Sequence, residues 1–299
     1  MKGCLLLNKN PGISSFNSLI PVKKTFGSAK VCHTGTLDSF AEGLLVVLIG
    51  QAVKLSSWFT GSDKQYRALL RFGEETDTLD PEGKVIARAP VPRREDLEAA
   101  LPAFTGKIVQ EPPRYSAIHI NGKRAYELAR AGIEPEMKKR PVTIYALSLC
   151  FWDPPHAELE IHCSSGTYIR SLARDIALSI GSRSFLRSLR RTKVGNFSVD
   201  NALSIPGEAA DDPLLFKTIR AALKPLSPEL FAQLNIPSIT IDEKTAKAVF
   251  HGGDLKIIRQ AIPGLEKHEI IALFGPQSFA ALIEQKNGSW KYGYVNAQN

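Results

Sequence analysis

One carboxylate stands out because of the residues around it. Asp38 lies in a short stretch that is bounded by Gly35 and Gly43. Glycine allows positive φ and close backbone approach, so both positions favour a tight loop. An ionised carboxylate in such a loop can attack an electrophilic carbon or stabilise charge that develops there. The alternative is that Asp38 is an ordinary turn residue, which is a common role for aspartate in a loop of this kind.

A catalytic carboxylate must stay ionised, so we expect a cation beside it. Arg170 is the candidate, because its planar fork of donors can hold both oxygens of a carboxylate. Residues 157–163 alternate between apolar and polar, which predicts a half-buried strand, and residues 169–180 repeat apolar side chains at helical spacing up to Gly181. Arg170 therefore stands where a strand passes into a helix, a position from which side chains can project into a cleft.

Basic side chains dominate the stretch between Ile161 and Asp200, and only Asp175 and Asp200 oppose them. Such a run is typical either of a solvated helix face or of a surface that binds a polyanion. The net charge of +8 is compatible with the second interpretation and does not exclude the first. The basic residues are Arg170, Arg174, Arg183, Arg187, Arg190, Arg191 and Lys193.

The elements that must position these residues mix strands and helices without a regular alternation. We therefore predict an α+β fold with a mostly antiparallel mixed sheet flanked by helices. Several prolines between residues 204 and 237 indicate a connecting segment with one helix at 214–223. The predicted strands are 44–49, 66–72 and 142–151, and the predicted helices are 93–101 and 124–131.

The C-terminal stretch has a different pattern. A helix over 243–250 follows Asp242 as its cap, and apolar strands are predicted at 269–274 and 278–283. Asn287 and Gly288 form a hairpin signal. We therefore predict a small β-rich domain that packs on its neighbour, because a unit of about 60 residues is near the lower size limit for independent stability.

Bulk features place the chain in the cytoplasm. The longest apolar run, 44–49, is far short of the roughly 20 residues that span a bilayer, and the apolar stretch within residues 1–12 is too short for a signal peptide. The cysteines show neither zinc-site spacing nor a disulfide framework, so we interpret them as reduced thiols. They are Cys4, Cys32, Cys150 and Cys163.

Five stretches together resemble the TruB family of pseudouridine synthases. The stretch around Asp38 is similar to the catalytic motif of that family, in which the acid follows Gly-Thr-Leu. The other four stretches match family motifs in the same order along about 200 residues. The five are 9–15 (KNPGISS), 33–45 (HTGTLDSFAEGLL), 63–68 (DKQYRA), 110–117 (QEPPRYSA) continued by 122–132 (GKRAYELARAG), and 165–170 (SGTYIR).

The resemblance implies three catalytic roles. Asp38 would be the catalytic carboxylate, which attacks C1′, attacks C6 or removes a proton from the sugar. Arg170 would form an ion pair with it. Tyr66 would stack on the uracil base and lie near C5, where a proton is removed late in the reaction.

The resemblance also implies five binding or supporting roles. His33 would enter the space that the flipped nucleotide leaves. Thr167 and Tyr168 would help to build the uridine pocket, and Leu189 would line it. Lys9 would support the catalytic loop.

The substrate implied by the resemblance is tRNA, at the uridine conventionally numbered 55 in the T loop. The reaction needs no cofactor and no metal. Residues 1–235 would form the catalytic domain, with an RNA-binding insertion at about 112–140 that folds over the T loop. Residues 236–299 would form a PUA-like domain that contacts the acceptor stem. A monomer without membrane attachment is expected.

The chain departs from the family pattern at two positions and leaves other interpretations open. Asn10 and Ser39 stand where the family usually has proline, whose loss could loosen the catalytic loop without touching the carboxylate. Alternatives to the tRNA enzyme are a pseudouridine synthase that acts on another RNA and a non-catalytic module that binds or folds tRNA. A DNA-binding protein is poorly supported, because neither a helix-turn-helix nor a zinc-finger pattern is present in the sequence.

Overall fold

The computed structural model describes residues 2–116, 118–120, 122–206, 212–255 and 268–296. Its strands are β1 Gly3–Lys9, β2 Val31–His33, β3 Glu42–Ile49, β4 Lys64–Phe72, β5 Glu74–Thr76, β6 Val85–Arg88, β7 Gly106–Gln110, β8 His119–Ile120, β9 Lys123–Arg124, β10 Arg140–Asp153, β11 His156–Cys163, β12 Ser184–Val194, β13 Phe197–Ser198, β14 Leu203–Ser204, β15 Ser238–Thr240, β16 Ile270–Phe274, β17 Phe279–Lys286 and β18 Ser289–Val295. Its α-helices are α1 Ile20–Phe26, α2 Ser56–Thr60, α3 Arg94–Ala100, α4 Ala125–Arg130, α5 Ile169–Ser179, α6 Pro213–Ala221, α7 Pro228–Ala232 and α8 Glu243–Phe250.

The main sheet has the order β14-β1-β3-β12-β4-β11-β10-β7, with β2 and β13 added at its side. β1 runs parallel to β14 and β3 runs parallel to β12, while the other neighbours are antiparallel. The prediction of an α+β fold with a mostly antiparallel mixed sheet is therefore confirmed. The strands and helices predicted from periodicity are also present, with ends that differ by a few residues.

β11 shows why alternation is a good predictor here. Ala157, Leu159, Ile161 and Cys163 are buried, whereas Glu160 on the opposite face is exposed. The buried side chains pack against one face of α5 in a shared apolar cluster. Burial of that face fixes the register, because a shift by one residue would turn it to solvent. The register places the end of β11 and the start of α5 at the same edge of the sheet.

β1 and β12 were missed by the sequence patterns. In β1, Leu5 and Leu7 face a cluster with α1 and α6, while Cys4 and Leu6 face the opposite cluster, so both faces are apolar and no alternation appears. β12 has irregular register at two points against β4, which breaks its alternation. The interpretation of the basic run as a solvated helix face is wrong. Its last four members lie on β12, and Arg170 and Arg191 are buried.

The C-terminal sheet has the order β15-β16-β17-β18, and α8 packs on it. Asp242 caps α8 by accepting a hydrogen bond from the Thr245 N–H at 2.7 Å, as predicted from the sequence. Asn287 and Gly288 both have positive φ between β17 and β18, as the hairpin signal predicted. A single apolar cluster joins this sheet to β1 and β3 through Phe231, Phe274 and Phe279.

The segment between the two sheets packs on the main sheet. α6 contributes Leu215 and Ile219 to the cluster beneath β1, and the backbone of Lys224 exchanges two hydrogen bonds with that of Cys4. α6 occupies most of the helix predicted at 214–223, and α7 was not predicted. Residues 207–211 of the predicted connecting segment lie outside the described part of the chain. No helix among the described residues is long and apolar enough to cross a membrane.

Candidate active site

A cavity of about 800 Å³ opens beside the two central strands β4 and β12 of the main sheet. Three segments meet there: the loop between β2 and β3, the turn between β11 and α5, and the facing side chains of β4 and β12. Its lining includes Gly35, Leu37, Asp38, Lys64, Tyr66, Ser116, Arg140, Thr167, Tyr168, Arg170, Leu189 and Arg191. Six of the eight residues proposed from the sequence thus line one cavity, although they lie up to 151 positions apart between Asp38 and Leu189.

Asp38 and Arg170 form an ion pair in this cavity. Nε of Arg170 lies 2.9 Å from Oδ2 of Asp38, and Nη2 donates a hydrogen bond to Oδ1 at 3.1 Å. Only 3% of the Arg170 side chain is exposed, against 37% of the Asp38 side chain. Burial strengthens the pair and holds it in one orientation. The carboxylate is therefore fixed by its partner and still open to the cavity.

Arg170 also contacts groups on the side away from Asp38. Nη1 donates to the carbonyl oxygen of Thr78 at 2.7 Å and contacts Oδ2 of Asp80 at 3.4 Å, and Nη2 donates to the carbonyl oxygen of Tyr115 at 2.9 Å. Burial raises the pKa of Asp80, opposed by a hydrogen bond from Thr78 and by the charge of Arg170. Asp80 was missed by the sequence analysis, because its acid lies in a Thr-Leu-Asp-Pro turn that resembles any polar loop.

Tyr66 and Leu189 form the apolar side of the cavity. They lie on the neighbouring strands β4 and β12, with 9% and 5% of their surfaces exposed. Both belong to the cluster that packs against α5. Burial raises the pKa of Tyr66, and the nearby Arg191 guanidinium partly offsets this effect. The phenol is therefore neutral at pH 7 and presents its ring beside the carboxylate.

The turn before α5 supplies the opposite side. The backbone N–H of Tyr168 donates to Oε1 of the buried Gln110 at 2.8 Å, and the hydroxyl of Thr167 donates to the carbonyl oxygen of Ser164 at 3.0 Å. The guanidinium of Arg140 lies 4.7 Å from the centre of the Tyr168 ring. Arg140 also donates to the carbonyl oxygen of Gly166. These contacts hold the turn in place relative to Asp38.

Lys9 contacts the loop between β2 and β3, which carries Asp38, and does not line the cavity. Its ammonium donates to the carbonyl oxygens of Asn10, Ser39 and Ala41 at 2.9, 3.2 and 2.5 Å. Only 1% of the residue is exposed, and burial lowers its pKa to about 8, partly opposed by the charge of Asp38. The lysine thus links the end of β1 to Ser39 and Ala41, the first and third residues after Asp38. This geometry matches a supporting role.

Arg191 is the largest omission of the sequence analysis. It is 2% exposed, and its guanidinium donates to the carbonyl oxygens of Leu44, Thr36 and Gly35 at 2.7, 3.4 and 2.9 Å. Gly43 has φ +105°, and a Cβ there would lie 2.3 Å from the carbonyl oxygen of Arg191. Both ends of the loop that carries Asp38 are therefore held against one residue of β12. The sequence analysis named Arg191 only as part of the basic run, because its burial and its three carbonyl partners depend on the fold.

His33, like Lys9, lies outside the cavity lining. It ends β2 and is half-buried. Burial lowers its pKa, and the charges of Arg191 and Lys23 lower it further, so the imidazole is neutral at pH 7. Its Nδ1 is buried, with no hydrogen-bond partner among the described residues.

Hydrogen bonds replace proline at the two positions where the chain departs from the family pattern. The amide of Asn10 donates to the carbonyl oxygen of Ile205 at 2.9 Å. The hydroxyl of Ser39 donates to the carboxylate of Glu82, and its carbonyl oxygen accepts a bond from the N–H of Gly12 at 2.8 Å. These bonds anchor the segment after β1 and the residue that follows Asp38 without the restricted φ of proline.

This arrangement can hold one planar ring between Tyr66 and the turn before α5, with an oriented carboxylate beside it. Such a site can act on a base or on the sugar that carries it. Among the described residues, no group of three acidic, histidine or cysteine side chains could hold a metal ion.

Comparisons with known proteins show which family the chain belongs to. The family model for the N-terminal domain of TruB family pseudouridylate synthases matches residues 23–169. The chain is 48% identical over 203 residues to tRNA pseudouridine synthase B of Borreliella burgdorferi (strain ZS7), which covers 67% of this chain and 72% of that protein. It is 38% identical over 283 residues to tRNA pseudouridine synthase B of Chromohalobacter salexigens, which covers 94% of this chain and 89% of that protein.

Solved structures agree on the fold. A crystal structure of a Cbf5-Nop10-Gar1 complex matches with a TM-score of 0.68 at 22% identity, over 99% of this chain and 84% of that chain. An H/ACA RNP bound to a substrate RNA containing 2′-deoxyuridine matches with a TM-score of 0.69 at 19% identity, with the same coverage. The two tRNA pseudouridine synthases are 48% and 38% identical to this chain, and the matches cover 72% and 89% of their lengths, which is sufficient to assign the family. The chain belongs to the TruB family of pseudouridylate synthases and is an isomerase that forms pseudouridine.

Proposed function

We propose that this isomerase acts on tRNA, at the uridine conventionally numbered 55 in the T loop. Two relatives named as tRNA pseudouridine synthases support the choice of RNA. The observation that carries the proposal is the carboxylate of Asp38, held by Arg170 at the side of a cavity that also contains Tyr66. A base inside a folded RNA must leave its stack to reach such a cavity, which costs a few kcal/mol.

The proposed chemistry rearranges one nucleotide. The bond from C1′ to N1 breaks, the uracil rotates, and C1′ joins C5, while the proton on C5 is lost and N1 gains one. Atoms and charge balance within the nucleotide, so the proposal includes no cofactor and no metal. Asp38 is the catalytic carboxylate that starts the exchange, and Arg170 keeps it oriented.

The other proposed roles follow the positions of the side chains. The ring of Tyr66 stacks on uracil near C5. Thr167, Tyr168 and Leu189 complete the pocket, and stacking in that pocket offsets part of the cost of flipping the base. Lys9 supports the loop, as its three carbonyl contacts suggest.

His33 is proposed to enter the space that the base leaves. Its place outside the cavity lining suits a residue that contacts the RNA rather than the flipped base. Because its pKa is lowered, it would enter that space as a neutral ring.

We further propose a division of labour along the chain. Residues 1–235 form the catalytic domain, and the insertion at about 112–140 folds over the T loop. The carbonyl contact of Tyr115 with Arg170 supports this, because it links the insertion directly to the site. Residues 236–299 form a PUA-like domain that contacts the acceptor stem. A monomer in the cytoplasm is the proposed working form, and the free thiols of the four cysteines are compatible with a reducing compartment.

The test uses an unmodified tRNA transcript and the full-length protein. We expect one pseudouridine, mapped to the T-loop uridine. A transcript with cytidine at that position should gain none. Pseudouridine at other positions only, or none in the first transcript, would refute the proposed substrate site.

The C-terminal role is tested by charge reversal, because deletion would expose the apolar cluster that joins the two sheets. Lys244→Glu and Lys291→Glu change exposed side chains. We expect both to weaken binding of full-length tRNA and to leave binding of an isolated T-arm hairpin unchanged. Equal effects on the two RNAs would contradict contact with the acceptor stem.

A further inference from the structure

An aromatic side chain lies exposed close to the catalytic loop. Phe16 is 63% exposed, and the ammonium of Lys23 lies 3.7 Å from the centre of its ring. Ile20, four residues after Phe16, is 42% exposed. A 3-10 turn at 17–19 runs directly into α1, so Phe16, Ile20 and Lys23 follow one another at helical spacing on one face.

This face is attached to the loop that carries Asp38. The hydroxyl of Ser15 donates to the carbonyl oxygen of Leu37 at 2.9 Å and accepts a bond from the Leu37 N–H at 2.8 Å. Ser15 precedes Phe16, and Leu37 precedes Asp38. The two hydrogen bonds between Ser15 and Leu37 therefore hold Phe16 close to Asp38. Lys23 also lies near enough to His33 for its charge to lower the histidine pKa.

The charged residues of this part of the sequence are all basic. Residues 1–37 contain five lysines and no aspartate, glutamate or arginine, so Asp38 is the first acidic residue of the chain. A basic surface attracts the negatively charged phosphates of a nucleic acid. An exposed aromatic ring next to a cation is the combination with which proteins hold single-stranded nucleic acid, because the ring stacks on a base and the cation contacts the backbone.

Other exposed apolar residues lack these features. Val109 on the edge strand β7 and Leu214 at the start of α6 are 69% and 70% exposed. Neither side chain has an aromatic ring that could stack on a base, and they lie on β7 and α6, away from residues 15 and 37 in the sequence. Single exposed apolar residues need no special explanation. Phe151 and Tyr145 are also exposed aromatic residues, but both lie on β10. Phe16 differs from them by the lysine over its ring and by its attachment to the loop that carries Asp38.

We propose that Phe16 and Lys23 form a subsite for an unpaired nucleotide that flanks the target uridine, with its base stacked on the ring and its phosphate near the ammonium. This inference rests on the proposed function, because it requires an RNA substrate. The subsite holds the RNA beside the cavity while the target base is flipped. It acts on binding, and the chemistry belongs to the cavity itself.

Binding measurements with a T-arm hairpin transcript test the subsite. Phe16→Ala should raise Kd about tenfold, which is the size expected for loss of one base–aromatic stack. Phe16→Trp should restore binding, whereas Phe16→Leu should not, because leucine is apolar without being aromatic. Phe151→Ala is the matched control, because Phe151 is also an exposed phenylalanine, with 51% of its surface accessible. It lies on β10 opposite Glu158 of β11, five residues from Cys163, where β11 ends next to the cavity.

Abasic transcripts identify the stacked base. Each nucleotide that flanks the target is made abasic in turn, and Kd is measured with the wild type and with Phe16→Ala. At one position, the loss of affinity from the abasic nucleotide and the loss from Phe16→Ala should not add, because each change removes the same base–ring stack. Lys23→Gln should reduce the dependence of log Kd on log salt by about one phosphate contact.

The outcomes separate this inference from the proposed function. If Phe16→Ala binds every transcript as tightly as the wild type, or if its loss adds to every abasic loss, the subsite is refuted while the wild type still forms pseudouridine. If the wild type forms no pseudouridine in these transcripts, the proposed function itself fails.

Discussion

Nη2 of Arg191 donates to the carbonyl oxygen of Gly35 at 2.9 Å, three residues before Asp38. The same guanidinium reaches Leu44 on the far side of the loop through Nε. A buried arginine on β12 therefore closes the loop at both ends. Arg170 orients the carboxylate itself, and Arg191 determines where the backbone presents it.

Arg191→Lys should slow catalysis more than it weakens RNA binding. Lysine keeps the charge but lacks the planar fork that reaches three carbonyl oxygens. A loop displaced by about 1 Å can cost about a hundredfold in rate. We expect a loss of that order in the single-turnover rate constant at saturating RNA, with a smaller change in Kd.

Arg190→Lys provides the matched control. Arg190 is the neighbouring residue, and its partly exposed side chain pairs with Glu42 at 2.9 Å. We expect its rate constant to stay close to that of the wild type. Equal losses for the two variants would show that Arg191 has no special positioning role.

Arg170→Met should destabilise the fold strongly. Its removal leaves the carboxylate of Asp80, which is 7% exposed, without its cationic partner. Breaking a buried pair from one side costs about 3–5 kcal/mol. Urea denaturation should show a loss of that size, whereas Arg174→Met on the same helix, whose arginine is more exposed, should cost clearly less. Similar small losses for both would contradict a buried network.

Lys9 should make stability depend on pH in the alkaline range. Its pKa is about 8 in the folded state, against 10.5 ordinarily. Between these values the unfolded chain holds a proton that the folded chain has released, so the free energy of unfolding rises with pH, by up to about 1.4 kcal/mol per pH unit. Below pH 8, Lys9 is protonated in both the folded and the unfolded chain, so the folded state bears the full free-energy cost of the buried charge.

Comparison with Lys9→Met isolates this contribution. Between pH 7.5 and 9.5 the wild type should gain about 1–2 kcal/mol relative to the variant, measured by urea denaturation at both pH values. Lys107→Met, which changes an exposed lysine on β7, should keep a constant offset from the wild type. A constant offset for Lys9→Met as well would contradict a lowered pKa.

Ser39→Ala should have a small effect. The lost hydroxyl bond to Glu82 is exposed, and the carbonyl oxygen of residue 39 still accepts bonds from Gly12 and Lys9. We expect the single-turnover rate constant to fall less than about fivefold, which corresponds to roughly 1 kcal/mol. Lys9→Met should slow the reaction more. If Ser39→Ala were the more damaging change, the loop would depend on the exposed hydroxyl rather than on the buried ammonium.

Much of the fold could be predicted where one face of an element is buried. The alternation in β11 and the spacing in α5 located Arg170 at their junction, and Asp242 located the start of α8. β1 could not be predicted in this way, because Leu5 and Leu6 are both buried on opposite faces. β12 was hidden by its register shifts and by its arginines.

Only some residues of the candidate site could be predicted from the sequence. Asp38, Tyr66 and Arg170 could be proposed because their neighbours along the chain form motifs. Asp80 and Arg191 could not, because their partners are a distant guanidinium and backbone carbonyl oxygens, which leave no mark in local sequence. The place of His33 outside the cavity lining also depends on how β2 joins β3.

The central claim is that the carboxylate of Asp38 performs the chemistry. Asp38→Asn keeps the size of the side chain and removes its charge. With a T-arm hairpin transcript, we predict that this variant binds the RNA about as tightly as the wild type and forms no pseudouridine in a single turnover. Formation of pseudouridine by Asp38→Asn at a rate near that of the wild type would contradict the claim.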